Sequence, residues 1–220
     1  MTIEPVAIFH SPFPEKFGIP RQAGVVADVR GTVSLEPCVR SADALRGLEG
    51  FDYIWLIWGF NLNKEGSAAA KLTVRPPRLG GNSRIGVFAS RSPFRPNPIG
   101  LSSVRIESID FDNCEIHVLG ADLADGTPVY DIKPYVTYTD SHADAASGFV
   151  DSNSWRTLEV RIPDSVSARF QEKELTALEQ VLAEDPRPRY QDNPDRIFGM
   201  SYAGQEIHFR VKDGILEVLE

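Results

Sequence analysis

Two short runs, Val104-x-Ile106 and Cys114-x-Ile116-x-Val118, alternate apolar with polar residues, and Asp112-Asn113 sits between them as a turn signal. Alternation with a period of two puts every second side chain on one face of a strand. The stretch can therefore bury one face only, as an antiparallel hairpin. No other feature narrows the choice of fold as much. Similar β-type runs fill the first two thirds of the chain: Val6-Phe9, Val25-Val29, Thr32-Leu35, Tyr53-Phe60, Arg84-Phe88 and Leu101-Ile109. One short helix interrupts them, with Ser41 as its cap, Leu45 and Leu48 on one face and Gly50 as its end. Strands at this spacing, with little helix between them, favour an antiparallel barrel or sandwich over βαβ units.

Composition changes after Tyr138. Ser141 to Ser154 is rich in Ser, Ala, Asp and Gly and reads as a linker. Beyond it Leu175, Leu178 and Leu182 recur at helical spacing from about Glu172 to Asp185, where Pro186 stops the helix. Glu206-Val211 and Ile215-Leu219 flank Lys212-Asp213-Gly214, a second hairpin signal. The expected division is a β domain over residues 1–140 and a small α+β appendage over 155–220.

A chain of 220 residues with 42% apolar content can bury a sizeable core. Its longest apolar run, Tyr53 to Phe60, is far short of the roughly 20 residues that cross a bilayer. The opening Met1-Thr2-Ile3-Glu4-Pro5 lacks the basic and apolar regions of a signal peptide, so a cytoplasmic address is expected. Cys38 and Cys114 then read as buried, reduced thiols in strands. The net charge of −8 conceals an asymmetry: from Gly66 to Ile106 there is no acid, and seven basic residues leave −15 for the rest. Those residues are Lys71, Arg75, Arg78, Arg84, Arg91, Arg95 and Arg105. Such a surface holds a polyanion in one place and repels it elsewhere.

Dinucleotide and nucleoside-triphosphate loops are absent, and no G-x-S-x-G elbow supports a hydrolase. His10, His117, His142 and His208 make no metal-ligand spacing with each other or with the cysteines, so no metal is expected. Three stretches are too peculiar to be filler. The first is Lys16-Phe-Gly-Ile-Pro-Arg-Gln22, where Pro20 stiffens a loop that offers the donors of Arg21 and Gln22. The second runs from Arg75-Pro-Pro-Arg-Leu-Gly-Gly-Asn82 through Gly86-Val-Phe-Ala-Ser-Arg-Ser-Pro-Phe-Arg-Pro-Asn-Pro-Ile-Gly-Leu101. Pro93, Pro96 and Pro98 restrain that loop, so Arg91, Arg95 and Asn97 lose little entropy on binding. The third is Gly120-Ala-Asp-Leu-Ala-Asp-Gly-Thr-Pro-Val-Tyr-Asp-Ile-Lys-Pro-Tyr135.

With Ala44-Leu-Arg-Gly-Leu-Glu-Gly-Phe51 and, more weakly, Leu182-Ala-Glu-Asp-Pro-Arg-Pro-Arg-Tyr190, these blocks resemble the TsaA-like (YaeB) family, whose bacterial members are TrmO tRNA methyltransferases. The resemblance implies an antiparallel β-barrel that binds S-adenosylmethionine, a homodimer, and methylation of N6-threonylcarbamoyladenosine at position 37, in the tRNA anticodon stem-loop. Carried over by position, the cofactor contacts fall on Pro20, Arg21, Gln22, Asn61, Leu62, Arg91, Leu101, Asp122, Leu123, Ala124 and Asp125. Asn61-Leu62 stands where many members have His-Gln, and the leucine leaves only backbone contact there.

Methyl transfer from a sulfonium needs alignment and exclusion of water more than metal or covalent chemistry. Asp125 and Asp131 are the carboxylate candidates for a base. Arg75, Arg78, Arg84, Arg95, Arg187 and Arg189 are the candidates for tRNA contact, with Tyr190 as a stacking face. The linker separates the appendage from every cofactor block, so it is expected to help seat tRNA and to be dispensable for the cofactor. A non-catalytic RNA-binding barrel and a methyltransferase of small molecules are the competing readings.

Overall fold

The computed structural model of the protein describes residues 2–63, 72–76, 84–152, 156–188 and 193–220. In chain order these form β1 (Ala7–His10), β2 (Arg30–Leu35), α1 (Ala42–Leu45), β3 (Tyr53–Gly59), β4 (Thr73–Val74), β5 (Ile85–Gly86), β6 (Ile99–Asp110), β7 (Glu115–Leu119), β8 (Thr127–Pro134) and α2 (Thr137–Asp140). Then come β9 (Glu159–Arg161), α3 (Asp164–Ser167), α4 (Glu172–Ala183), β10 (Phe198–Tyr202), β11 (Gln205–Lys212) and β12 (Ile215–Leu219).

Six strands close into an antiparallel barrel in the order β1-β2-β7-β6-β3-β8. Closure leaves no unpaired strand edge. The alternation in sequence decides what lies inside: Ile54, Leu56 and Trp58 of β3 are buried, while Tyr53, Trp55 and Ile57 face outward. Phe9, Val33, Val104, Ile116, Val118 and Val129 complete an interior filled by side chains. The barrel is therefore a packed core, and ligands must bind at its ends. The hairpin β6–β7 forms with Ile106 opposite Val118 and Ile109 opposite Ile116, with a bulge between Ile106 and Ser108.

The C-terminal part is a mixed sheet, β10-β11-β12-β9, covered by α4. The expected helix is there, with Leu178 and Leu182 buried and Gln171 and Glu174 forming a capping box. The expected hairpin is there too, turning at Asp213 and Gly214, which have φ of 51° and 80°.

Four local expectations fail. Val25–Val29 is not a strand but a series of bends: its Val26 and Val29 are buried in the core of the C-terminal part, which no local pattern reveals. The helix begun at Ser41 breaks after Leu45, because Gly47 takes φ 89°, and a separate 3-10 turn covers Leu48–Gly50. Arg84–Phe88 is a strand only at Ile85–Gly86, followed by a 3-10 turn. Cys38 is exposed in a turn; Cys114 is buried, but it too lies in a turn, with φ 56°, one residue before β7. Among the described residues no helix is long and apolar enough to cross a membrane.

Candidate active site at one mouth of the barrel

Because all six strands are antiparallel, β1, β3 and β7 end where β2, β6 and β8 begin. The connections at this mouth are 11–29, the described stretches 60–63, 72–76 and 84–98, and 120–126, and they contain most of the described residues singled out in the sequence. Main-chain bonds tie the first loop to the third: Gly24 N–H donates to Gly120 O (2.8 Å), Gly120 N–H to Val29 O (2.8 Å) and Asp125 N–H to Phe13 O (2.8 Å). The second loop is tied in by side chains. Lys16 Nζ donates to Asn63 Oδ1 (2.9 Å), Asn63 Nδ2 to Pro93 O (3.3 Å), and Arg91 Nη1 to Gln22 Oε1.

Asp122 sits among these loops. Ser102 Oγ donates to its Oδ1 at 2.5 Å, and Trp58 Nε1 donates to Ser102 Oγ at 2.9 Å. Withdrawal from water pushes the Asp122 carboxyl above its usual pKa. The Ser102 hydroxyl, the charge of Arg91 and the Ala23 N–H all oppose that rise. Gln22, Arg91 and Asp122 thus gather opposite charges and an amide in one place.

The other candidates divide. Asn61 is spent on stitching: its Nδ2 donates to Gly126 O (3.1 Å), and its Oδ1 lies 3.3 Å from Thr127 Oγ1. Asp125 accepts from Ser11 N–H (3.1 Å) and lies 3.6 Å from His10 Nδ1, a neighbour that the histidine spacings did not suggest. Pro20 is buried, two residues before Gln22, and Leu62 is half-buried. Leu123 and Ala124 are buried, and Ala124 O accepts from Thr127 Oγ1 (2.8 Å). Leu101 lies on the outer face of β6, the opposite face from Ser102, and is exposed. Asp131 is not brought to the mouth. It pairs with Lys133 (2.8 Å) and lines a cavity of about 490 Å³ at the other end of the barrel, with Val39, Leu45 and Phe51.

Among the basic residues, Arg75 and Arg84 are exposed. They adjoin the same end of the β4–β5 ribbon, because Val74 pairs with Ile85. Arg95 donates to Ser90 O (3.0 Å) and braces its own loop. Arg187 does not project: its guanidinium forks onto Asp185 (2.8 and 2.9 Å), and its side chain is only 10% exposed. Arg78, Arg189 and Tyr190 lie outside the described residues. Nor is the appendage remote from the first loop. Arg21 Nη2 reaches Pro186 O (3.3 Å), and Phe17 stacks on Phe198 and Phe209 (6.4 and 6.3 Å between centroids). The sequence linker separates the two parts along the chain, not in space.

Sequence reasoning missed Trp58 and Ser102. One signal was available: Ser102 falls on the inward register of β6, two before Val104, where a polar residue is out of place.

Two family models match the chain in succession: the tRNA-methyltransferase O N-terminal domain over residues 8–141 and the TrmO C-terminal domain over residues 156–220. The chain belongs to the TrmO family. A tRNA (adenine(37)-N6)-methyltransferase of Escherichia coli K12 is 39% identical, over 98% of this chain and 95% of that one. A Pseudomonas aeruginosa protein designated a candidate S-adenosylmethionine-dependent methyltransferase is also 39% identical, over 100% of this chain and 96% of its own length. The crystal structure of TrmO from Pseudomonas aeruginosa superposes with a TM-score of 0.79 at 32% identity, covering 100% of this chain and 97% of that one.

Proposed function

We propose that this protein uses S-adenosylmethionine to methylate N6 of N6-threonylcarbamoyladenosine at position 37 of tRNA, with residues 1–140 as the methyltransferase domain and 155–220 as an attached module. The observation that carries the reading is the convergence of Gln22, Arg91 and Asp122 from three separate loops. The methionyl end of the cofactor bears a carboxylate and an ammonium beside a sulfonium. Arg91 and Gln22 suit the first, and Asp122 suits the cationic groups. Pro20, Arg21, Asn61, Leu62 and Asp125, on the same three loops, are the further contacts proposed, with Leu123 and Ala124 contributing through their main chain.

When bound, S-adenosylmethionine supplies a methyl group already activated on sulfur. The protein's own part is alignment, which contributes up to about 7–11 kcal/mol when reacting atoms are held in near-attack geometry. The proline-restrained loop carrying Arg91 and the bonded loop 120–126 serve that end. Conjugation in the ureido group acidifies the acceptor N–H, and Asp125, an exposed carboxylate at the mouth beside His10, is the group proposed to take its proton. Arg75 and Arg84 stand side by side, a placement that favours a phosphate or the threonyl carboxylate between them.

A second copy is the proposed cover for Leu101, Ile99, Phe88, Phe94 and Leu72, which leave apolar surface exposed around the second loop. Mass spectrometry of tRNA nucleosides from a strain lacking the gene tests the function. Loss of the methylated nucleoside and accumulation of its unmethylated parent, reversed by restoring the gene, is the expected result. An unchanged nucleoside profile overturns the reading.

A further inference from the structure

We propose that Ser102 and Trp58 are positioning residues that hold Asp122 ionised and oriented toward the cofactor, through a one-way hydrogen-bond chain running out of the barrel core. The proposal rests on reading Gln22, Arg91 and Asp122 as the cofactor site.

Inside the barrel the inward side chains are apolar, from Phe9 through Val129. Ser102, at 2% exposure, and Thr127 are the buried polar side chains among the described residues. Thr127 is accounted for by the turn it closes, since its Oγ1 donates to Ala124 O (2.8 Å). Ser102 closes no turn. A hydroxyl buried among hydrocarbon is costly unless bonded, and alanine would fill nearly the same space without that cost. Trp58 has the same character: its indole N–H, inside a core, must find an acceptor. Gly100 makes room for it, because a Cβ there would stand 2.3 Å from the indole Cε2. Three positions on two strands thus yield packing to a single chain of bonds.

The chain runs outward. The indole N–H donates to Ser102 Oγ (2.9 Å), and the serine's single hydroxyl proton goes to Asp122 Oδ1 (2.5 Å). A donor on the carboxylate favours its ionised form. Bonds in series also polarise one another, so the tryptophan strengthens the serine as a donor. The charged and polar groups that face Asp122 from the packed elements are Arg91 of the second loop, Ser102 of β6 and the Ala23 N–H of the first loop. All three act in the same sense, against the withdrawal from water.

The experiment is calorimetric titration of the whole protein with S-adenosylmethionine across pH, for wild type, Ser102→Ala, Ser102→Thr, Trp58→Phe, Asp122→Asn and the Asp122→Asn/Ser102→Ala double variant. A hydrogen bond to a charged group stabilises the charged form, so deleting the donor raises the pKa of the acid. Ser102→Ala is expected to weaken binding at neutral pH about tenfold or more and to move the acid limb of the profile to higher pH. Trp58→Phe is expected to move that limb the same way by less, and Ser102→Thr, which keeps the hydroxyl, to restore it. In the Asp122→Asn background Ser102→Ala should add little. A folded Ser102→Ala variant with an unmoved limb, or full additivity in the double variant, overturns the proposal. Should Ser102→Ala fail to fold, an unmoved limb in Trp58→Phe overturns it equally. Wild-type protein that binds no S-adenosylmethionine would instead sink the reading of the site.

Discussion

The barrel and the C-terminal part build their cores differently. Every residue in the barrel's core cluster, from Ala7 to Ile132, belongs to the barrel's own stretch of chain. The C-terminal cluster borrows: Phe13, Val26 and Val29, with Phe17 and Ile19 packed against it, come from the first loop of the barrel domain. That loop also carries Pro20, Arg21 and Gln22. Further ties follow the same path, with Ala203 N–H donating to Pro12 O (2.9 Å), Ser201 N–H to Glu15 Oε1 (3.2 Å) and Gln180 Nε2 to Asp28. The barrel core needs only itself, whereas the C-terminal core is incomplete without this first loop. The loop in turn is held against the C-terminal part, so the expectation that follows is a loop whose shape depends on that part, in place of a dispensable appendage.

The comparison is most exposed to a change at Phe209, which is fully buried against Phe17 and Phe198. Phe209→Ala should cost about 3–5 kcal/mol in urea unfolding. It should also weaken S-adenosylmethionine binding, although Phe209 is in the C-terminal part. Unchanged binding in the folded variant would break the dependence of the loop on its neighbour.

Arg91→Ala acts from the barrel side, where its guanidinium meets Gln22. It should weaken S-adenosylmethionine binding by about 1.5–3 kcal/mol, as for a lost charged hydrogen bond, with little change in unfolding. Wild-type affinity would remove Arg91 from the site.

A double replacement, Arg75→Ala with Arg84→Ala, tests the ribbon rather than either core. The slope of log tRNA affinity against log salt should fall by about two contacts' worth, with S-adenosylmethionine binding unchanged. An identical slope would place the phosphate contacts elsewhere. Smallest is Ile116→Val, deep in the self-contained barrel core. It should cost about 0.5–1.5 kcal/mol of stability and leave cofactor affinity alone. If it lowers affinity as much as Phe209→Ala does, the two cores are not distinct in their bearing on the site.

Local patterns alone determined the β6–β7 and β11–β12 hairpins, α4 and the mainly β character of the chain. Alternation, turn residues and helical spacing act within a dozen residues, so each can be read without knowing what lies opposite. The blocks that form the mouth were legible as well, because their prolines, glycines and arginines are unusual in themselves. Three features were decided only by tertiary structure. Val26 and Val29 are buried by α4 and strands more than 140 residues further on, so their apolar run imitates a strand. Asp131 belongs to the same sequence block as Asp122, yet β8 carries it to the far end of the barrel. Trp58 and Ser102 are separated by 44 residues and meet only because β3 pairs with β6. Such contacts depend on strand order and register around a closed barrel, which involve the whole chain at once and leave no trace in any one window of it.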